Sequence, residues 1–362
     1  VSKNPGKRKR HQVGRSAARP DRSGRAGHGE DDGPRREKLL RGRSNEETVP
    51  DAPSRRELEG DVRRGRVVAL RGREAVVAPD GGGPEATCLL RKSTRVPHSG
   101  ENALVVGDRV SFLAEGAPPF VLTEVEERRT ALTRTRHGRD AQVIAANVDL
   151  CVIVASAAEP PFKPRLVDRF LISARAGGVE PALVLNKADL ADPAGVRAML
   201  APYARLGLPA LAVSAETGEG LDALRDLLRG RTSVFSGQSG VGKSTLLNRL
   251  DPELSLRTGE VYGRAGKGRH TTSASTLVAF PFGGAVIDTP GIRSFQLAEP
   301  TVEALDAFFP EIAAAAAECR FADCRHAGDA GCAIPAAVAG GDVDEDRLDS
   351  YRTLREEIER GG

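Results

Sequence analysis

The sequence has no tryptophan, and aromatic residues make up only 4% of its 362 positions, so its cores must be packed from aliphatic side chains. No stretch approaches the ~18 to 20 consecutive apolar residues that a membrane-spanning helix needs. The basic start of the chain has no apolar run behind it and does not read as a secretory signal. A cytoplasmic protein without membrane contact is the expectation. Cysteine is sparse and odd in number, five in all with three near the end, which argues against a disulfide framework. Lysine is scarce as well. Of 53 basic side chains only nine are lysines, so a lysine that does stand in a motif fits a need for a compact ammonium rather than a planar fork.

What is present suffices for two or three domains: 362 residues, 40% of them hydrophobic. The net charge of +3 is unevenly spread, because residues 1–43 carry 14 Lys and Arg against 5 Asp and Glu. Residues 1–58 lack apolar periodicity, and their composition predicts a disordered basic arm. Its opening, KNPGKRKRHQVGR, can be read as an RNA-phosphate contact or equally as a solvated tail. Residues 59–130 change to short β runs: Arg66–Leu70, Ala75–Ala78, Ala86–Leu90, Asp108–Leu113 and Phe120–Val125. Five strands of this length predict a small barrel, with an OB-fold favoured over an SH3-like one. Its arginines would suit backbone and shape contacts with folded RNA better than base stacking, since only Phe112 and Phe120 are aromatic there.

Residues 131–298 alternate strand and helix, which predicts a doubly wound sheet with ligands at the carboxyl ends of its strands. Within it the apolar run Thr232–Phe235 meets GQSGVGKST and then LLNRL. Strand, glycine-rich loop and helix in that order make a P-loop rather than a ligand-free turn. Backbone N–H groups of Gly237, Gln238, Ser239, Gly240, Val241, Gly242, Lys243, Ser244 and Thr245 would cradle phosphates at a helix N-terminus. Lys243 would reach the β- and γ-phosphates and Ser244 would bind Mg²⁺. Upstream, Asn186-Lys187-Ala188-Asp189 follows a strand. The Asp189 carboxylate suits the N1–H and 2-amino donors of guanine, Asn186 the base edge, and the Lys187 stem the ring face. Taken alone, Asp189 could also be a helix N-cap. The SAETG loop begins 25 residues after Asp189, where an N–H near Ser214-Ala215 would meet the guanine oxygen. After the P-loop come GKGRHTT, offering Thr271 or Thr272 to Mg²⁺, and DTPG. There Asp288 would hold Mg²⁺ through water, and the Gly291 N–H would sense the γ-phosphate.

Residues 299–362 hold Cys319, Cys324, His326 and Cys332 in the spacing C-x4-C-x-H-x5-C. Three thiolates and one imidazole form a tetrahedral Zn²⁺ set with no open position, hence a structural site. Cys88 and Cys151 lie in apolar runs and read as core thiols. Leu348, Tyr351, Leu354 and Ile358 mark one amphipathic helix whose other face mixes Asp, Glu and Arg.

These are G-protein motifs in an unusual order: NKAD, SA, P-loop, TT, DTPG. With VVGDRV (Val105–Val110), VIAANVD (Val143–Asp149), PPFKPRLVDR (Pro160–Arg169), GRHTT and DTPGIRSF, the chain resembles the circularly permuted RsgA (YjeQ/YloQ) GTPase family over residues 61 to 335. The resemblance implies an OB-fold barrel, a circularly permuted P-loop GTPase domain and a small α-rich zinc-binding domain. It further implies a monomer that binds GTP and GDP with Mg²⁺, carries one zinc ion, and acts with the 30S ribosomal subunit and its 16S rRNA in late subunit maturation. The position after DTPG is Ile292, which cannot orient water as glutamine does in many GTPases. Slow intrinsic hydrolysis is therefore expected, and His270, which the resemblance links to catalysis, is the candidate substitute.

Overall fold

Strand β8 (Leu150–Ser156) is buried along its whole length and sorts its side chains by parity. Leu150, Val152 and Val154 enter one hydrophobic cluster, while Cys151, Ile153 and Ala155 enter another on the opposite face. Such a strand requires helices on both sides. The computed structural model, which describes residues 60–97, 103–134, 142–254, 275–288 and 305–361, supplies them. Helices α1 (Pro164–Ala176) and α2 (Pro193–Arg205) cover the Cys151 face; α3 (Leu221–Leu228) and α4 (Lys243–Leu250) cover the other. Parallel strands β9 (Glu180–Asn186), β10 (Ala210–Ala212), β11 (Thr232–Ser236) and β13 (Ala285–Asp288) flank β8 in the order β10-β9-β8-β11-β13. The antiparallel β12 (Thr276–Ala279) lies beyond β13. Strand β11 thus sits in the middle of the sheet although it follows β8, β9 and β10 in the chain. That is how a permuted G-protein order looks in space: the strand carrying the P-loop keeps its central place while its neighbours precede it.

The first five strands are β1 (Val62–Arg71), β2 (Glu74–Pro79), β3 (Ala86–Leu89), β4 (Arg109–Leu113) and β5 (Phe120–Val125). They run β1-β2-β3-β5-β4, and β4 returns to pair with β1, closing a barrel. The parallel β3–β5 contact inside this Greek key makes it OB-type and decides against the SH3-like alternative. Aliphatic residues fill it, including Val67, Val77, Val110 and Leu122, around Phe112.

An antiparallel ribbon of β6 (Ala131–Arg134) and β7 (Gln142–Ala146) leads into β8. Here the stretches Val105–Val110 and Val143–Asp149 meet and join barrel to sheet. The Ala146 N–H donates to the Val106 carbonyl at 3.0 Å. Asn147, buried at φ 53°, donates from Nδ2 to the Gly107 carbonyl at 3.0 Å and accepts from the Arg129 N–H at 2.9 Å. Gly107 has φ 94°, and a Cβ there would lie 2.0 Å from the Ala146 oxygen, so no other residue fits this crossing. Beside it Asp108, fully buried, pairs with Arg128 at 2.8 Å. Strand β1 also pairs antiparallel with β12 at Ala69–Thr276, so the barrel continues the α/β sheet into eleven strands.

Helices α5 (Pro310–Ala316), α6 (Ile334–Gly340) and α7 (Glu345–Gly361) form the last unit. Its core joins Leu305, Phe309, Ile312, Ile334, Leu348, Tyr351 and Leu354 to Ile172 of α1. The apolar stripe expected on α7 is therefore buried. The charged residues of that helix are not all solvated, however. Arg347 is only 2% exposed. It donates to Asp168 of α1 at 2.6 Å and to Glu311 of α5 at 2.7 Å, with its guanidinium 4.3 Å from the centre of the Phe309 ring. Burial pushes the Asp168 carboxyl up while Arg347 pulls it down; the two carboxylates more than offset burial for the guanidinium and keep it charged. Removing one member would strand the others in a dry site. Among the described residues no helix is long and apolar enough to cross a membrane.

Candidate functional site

Four of the motifs lie at the carboxyl ends of parallel strands. NKAD leaves β9, SAETG follows β10, the P-loop follows β11, and Asp288 closes β13. This is the edge where open α/β sheets bind ligands.

The P-loop is shaped by backbone that a side chain would block. Gly237 has φ 138°, and a Cβ there would lie 2.1 Å from the Val154 carbonyl oxygen of β8. Gly242 has φ 95°, and its Cβ would lie 2.3 Å from Nδ2 of Asn186. Helix α4 begins directly at Lys243, with no side chain capping its first N–H groups. A helix N-terminus following such a loop, with its dipole, suits an anion. The Lys243 ammonium lies across the loop, donating to the carbonyls of Gly237 at 2.7 Å and Gln238 at 2.8 Å. Ser239 and Gly240 are exposed, while Lys243, Ser244 and Thr245 are half-buried.

Asn186 acts as a brace. Its side chain is buried; Nδ2 donates to the Val241 carbonyl of the P-loop at 2.8 Å, and Oδ1 accepts from the Ala215 N–H at 3.0 Å. The spacing places Asn186 on the base edge; the structure gives its amide to the two neighbouring loops. Lys187, at φ 63°, arches over the P-loop and donates to the carbonyls of Gly240, at 2.9 Å, and Glu159. Asp189 is exposed. It does not cap the following helix, since Asp192 does so by accepting from the N–H groups of Ala194 and Gly195 at 2.9 and 3.0 Å. Its carboxylate is therefore left for another donor pair.

The N–H groups of Ser214 and Ala215, near which a donor to the ligand is expected, both have partners within the protein. The Ser214 N–H donates to the Glu219 carbonyl at 2.9 Å and the Ala215 N–H to Asn186 at 3.0 Å. Both are spent inside the protein. His270, Thr271, Thr272 and Gly291 lie outside the described residues, as do residues 1–58. Of Asp288 only the backbone is described.

Cys319, Cys324, His326 and Cys332 come together in the last unit, with their ligand atoms all within 4.8 Å of one another. His326 Nδ1 lies 3.6 Å from the sulfurs of both Cys319 and Cys332. Those separations suit the edges of a tetrahedron with metal bonds of about 2.3 Å to sulfur and about 2.0 Å to nitrogen. The Ala333 N–H donates to Cys319 Sγ at 3.3 Å, and Arg352 Nε donates to the His326 carbonyl at 2.7 Å. These contacts fix the ligands from outside the cluster. Cys88 and Cys151 are buried in the two β cores, as expected, and burial pushes their thiols up to about 11 and about 12.

Residues 125–298 match the family described as RsgA GTPase. The small ribosomal subunit biogenesis GTPase RsgA of Chlorobaculum parvum is 43% identical over 297 residues, covering 78% of this chain and 94% of that protein. The chain belongs to the RsgA GTPase family. The RsgA of Gemmatimonas aurantiaca is 42% identical over 272 residues, or 73% of this chain and 88% of that protein. Among solved structures, YjeQ from Thermotoga maritima superposes with a TM-score of 0.68 at 32% identity, covering 82% of this chain and 98% of its own. YloQ, a circularly permuted GTPase, gives a TM-score of 0.64 at 28% identity, with 83% and 96% covered.

One contact in this RsgA-family site had no signal in the sequence. Arg249, in the last turn of α4, donates from Nε to the Ala215 carbonyl at 2.8 Å and from Nη2 to the Glu216 carbonyl at 2.6 Å. It lies 34 residues from Ala215. Only the fold reveals the pair.

Proposed function

We propose that this RsgA GTPase acts in small ribosomal subunit biogenesis by hydrolysing GTP to GDP and phosphate under the control of the 30S subunit. The observation that carries the reading is the meeting of P-loop, NKAD and SAETG loops at one sheet edge, braced by Asn186. Lys243 and the N–H groups of residues 237–245 hold the phosphates, and Asp189 reads the base. Ser244, Asp288 and Thr271 or Thr272 hold Mg²⁺, which neutralises phosphate charge when bound. The Gly291 N–H senses the γ-phosphate, and His270 positions the attacking water in place of the glutamine that Ile292 displaces. The four-ligand cluster takes one structural zinc ion. Residues 59–130 and 299–362 contact 16S rRNA on either side of the core at 131–298. GTP favours docking and hydrolysis favours release.

Asp189→Asn inverts the donor–acceptor pattern at the base edge. It is expected to weaken GTP binding at least tenfold and to gain xanthosine triphosphate binding, on the scale of a lost charge-assisted contact of about 1.5–3 kcal/mol. Equilibrium titration with both nucleotides checks this. A mutant that binds GTP as the parent does would remove Asp189 from the base site.

The ribosomal reading is tested by co-sedimentation with 30S subunits in a GTP analogue and in GDP, paired with turnover in their presence and absence. The parent should bind more tightly with the analogue and hydrolyse GTP faster on the subunit, the two being linked. His270→Ala should keep the nucleotide-dependent docking and lose most of the stimulation. Equal affinity in both nucleotide states would sink the switch, while full stimulation in the mutant would remove His270 from the mechanism.

A further inference from the structure

The four ligands of the Cys and His cluster lie within fourteen residues, yet the backbone at its centre is held from outside. His326 is only 5% exposed and has φ 61°. A non-glycine residue in the left-handed region costs free energy and persists where surrounding contacts over-determine it. Here the peptide that joins His326 to Ala327 is held at both ends. Its N–H donates to Asp329 Oδ2 at 3.2 Å. Its carbonyl accepts from Arg352 Nε at 2.7 Å and also from Nη2 of the same guanidinium. A trans peptide is planar, so holding both its N–H and its C=O fixes the rotation of the backbone at His326.

The two holds differ in origin. Asp329 belongs to the ligand loop and accepts from the Arg325 N–H at 3.1 Å as well. Arg352 stands on α7, 26 residues from His326. That helix has its own anchors: Arg347 reaches Asp168 of α1, and Leu348, Tyr351 and Leu354 enter the core of the last unit. Tyr351 also brings its ring centre to 6.1 Å from that of the imidazole. A planar fork that grips one carbonyl with two N–H groups resists tilting in a way that a rotating ammonium does not. The imidazole so carried turns Nδ1 to the sulfurs of Cys319 and Cys332, 3.6 Å from each. A guanidinium has donors and no acceptor, so Arg352 cannot itself take a cation.

We propose that Arg352 is a positioning residue for the metal: it holds His326 in the left-handed conformation that presents Nδ1, so the site is completed by the docked α7 helix and not by residues 319–333 alone. This rests on the zinc reading of the cluster given above. Metal affinity is then a property of the whole unit. Helix α7 docks through Arg347 and its apolar stripe, and zinc enters a site whose histidine is already placed.

The test uses the full chain and its Arg352→Ala, Arg352→Lys and Arg360→Ala variants. Zinc affinity is read by competition with a chromogenic chelator, the ligand set by the visible spectrum of the Co²⁺-substituted protein, and α7 by amide hydrogen exchange. Arg352→Ala should lose about 10- to 100-fold in zinc affinity, the usual cost of removing an outer partner of a metal ligand. Its cobalt spectrum should depart from that of a site with three sulfurs and one nitrogen, while α7 stays protected. Arg352→Lys, with one ammonium on the carbonyl, should fall between Arg352→Ala and the parent. Arg360 pairs with Glu356 toward the end of α7, and Arg360→Ala should match the parent. Zinc affinity in Arg352→Ala within about twofold of the parent, well short of that usual cost, would overturn the assignment. So would fast exchange throughout α7 in the same variant, because Arg352 would then merely support the helix. Should Arg352→Ala fail to fold, Arg352→Lys decides: parental affinity and a parental cobalt spectrum there would overturn the assignment. A parent that binds neither zinc nor cobalt would instead end the zinc reading itself, which separates the two failures.

Discussion

Lys243→Ala yields a protein that folds and no longer turns over GTP. The ammonium is a point charge at the mouth of a loop whose remaining donors are backbone N–H groups. Removing one preorganised donor to a developing oxyanion costs about 10² to 10³ in rate, and a full positive charge on the transferring phosphoryl group should cost at least that. The fold should hardly notice. Lys243 is half-buried, and its ammonium donates to the carbonyls of Gly237, which is buried, and of Gln238, which is half-buried. The stability change should stay near the net value of the two hydrogen bonds lost, about 1–3 kcal/mol. Lys243→Arg should not rescue turnover, because a planar fork cannot enter a loop cut to a compact ammonium. Single-turnover hydrolysis and thermal melting, measured on the same preparations, check both halves. Undiminished hydrolysis in Lys243→Ala would falsify the assignment of this loop as the phosphate site.

Loss of the metal should act on the opposite half of the molecule. Cys324→Ser is expected to bring metal content from one zinc ion per chain to near zero and to loosen residues from about 300 onward. Structural zinc contributes about 10–16 kcal/mol in small peptides, which exceeds what a unit of this size can lose and stay ordered throughout. The damage should be graded. The apolar core around Phe309, Ile312, Leu348 and Tyr351 does not include the ligands Cys319, Cys324 and His326, and Arg347 still ties α7 to Asp168 of α1. The segment 319–333 should therefore lose amide protection first, and α7 later. GTP binding should persist, because the cluster shares no ligand with the P-loop. Elemental analysis, hydrogen exchange and nucleotide titration on parent and mutant read these three expectations. Freshly purified parent protein without zinc would end the idea.

How far the sequence could be read depended on how local each feature is. The P-loop is a run of nine residues whose glycines at 237, 240 and 242 all adopt positive φ, so pattern and geometry coincide. Helix α3 and strand β5 match their apolar periods over the same residues, Leu221–Leu228 and Phe120–Val125. The Cys and His spacing foretold a cluster because its four ligands lie within fourteen residues. Features made by pairing distant segments left no such trace. Strand β12 is four residues long and owes its place to β13 and β1. The barrel's closure depends on β4 finding β1, and nothing in either run says so. Arg347 shares a helix face with acidic residues and reads as solvated, yet Asp168 and Glu311 make its burial tolerable. The contacts of the base-side loop with Asn186 and Arg249 likewise join segments far apart in the chain.

The single pairing of Ala69 with Thr276 bears on how the molecule stays dispersed. Without β1, strand β12 would be the bare margin of the α/β sheet, a row of unpaired N–H and C=O groups of the kind that templates aggregation. Among the described residues β1 pairs with β4 to close the barrel and, at Ala69–Thr276, meets β12 on the side away from β13. A core that began at residue 131 would leave that margin without the β1 contact, whereas a chain that keeps residues from 60 onward meets it at Thr276. The barrel is thus a guard for the sheet.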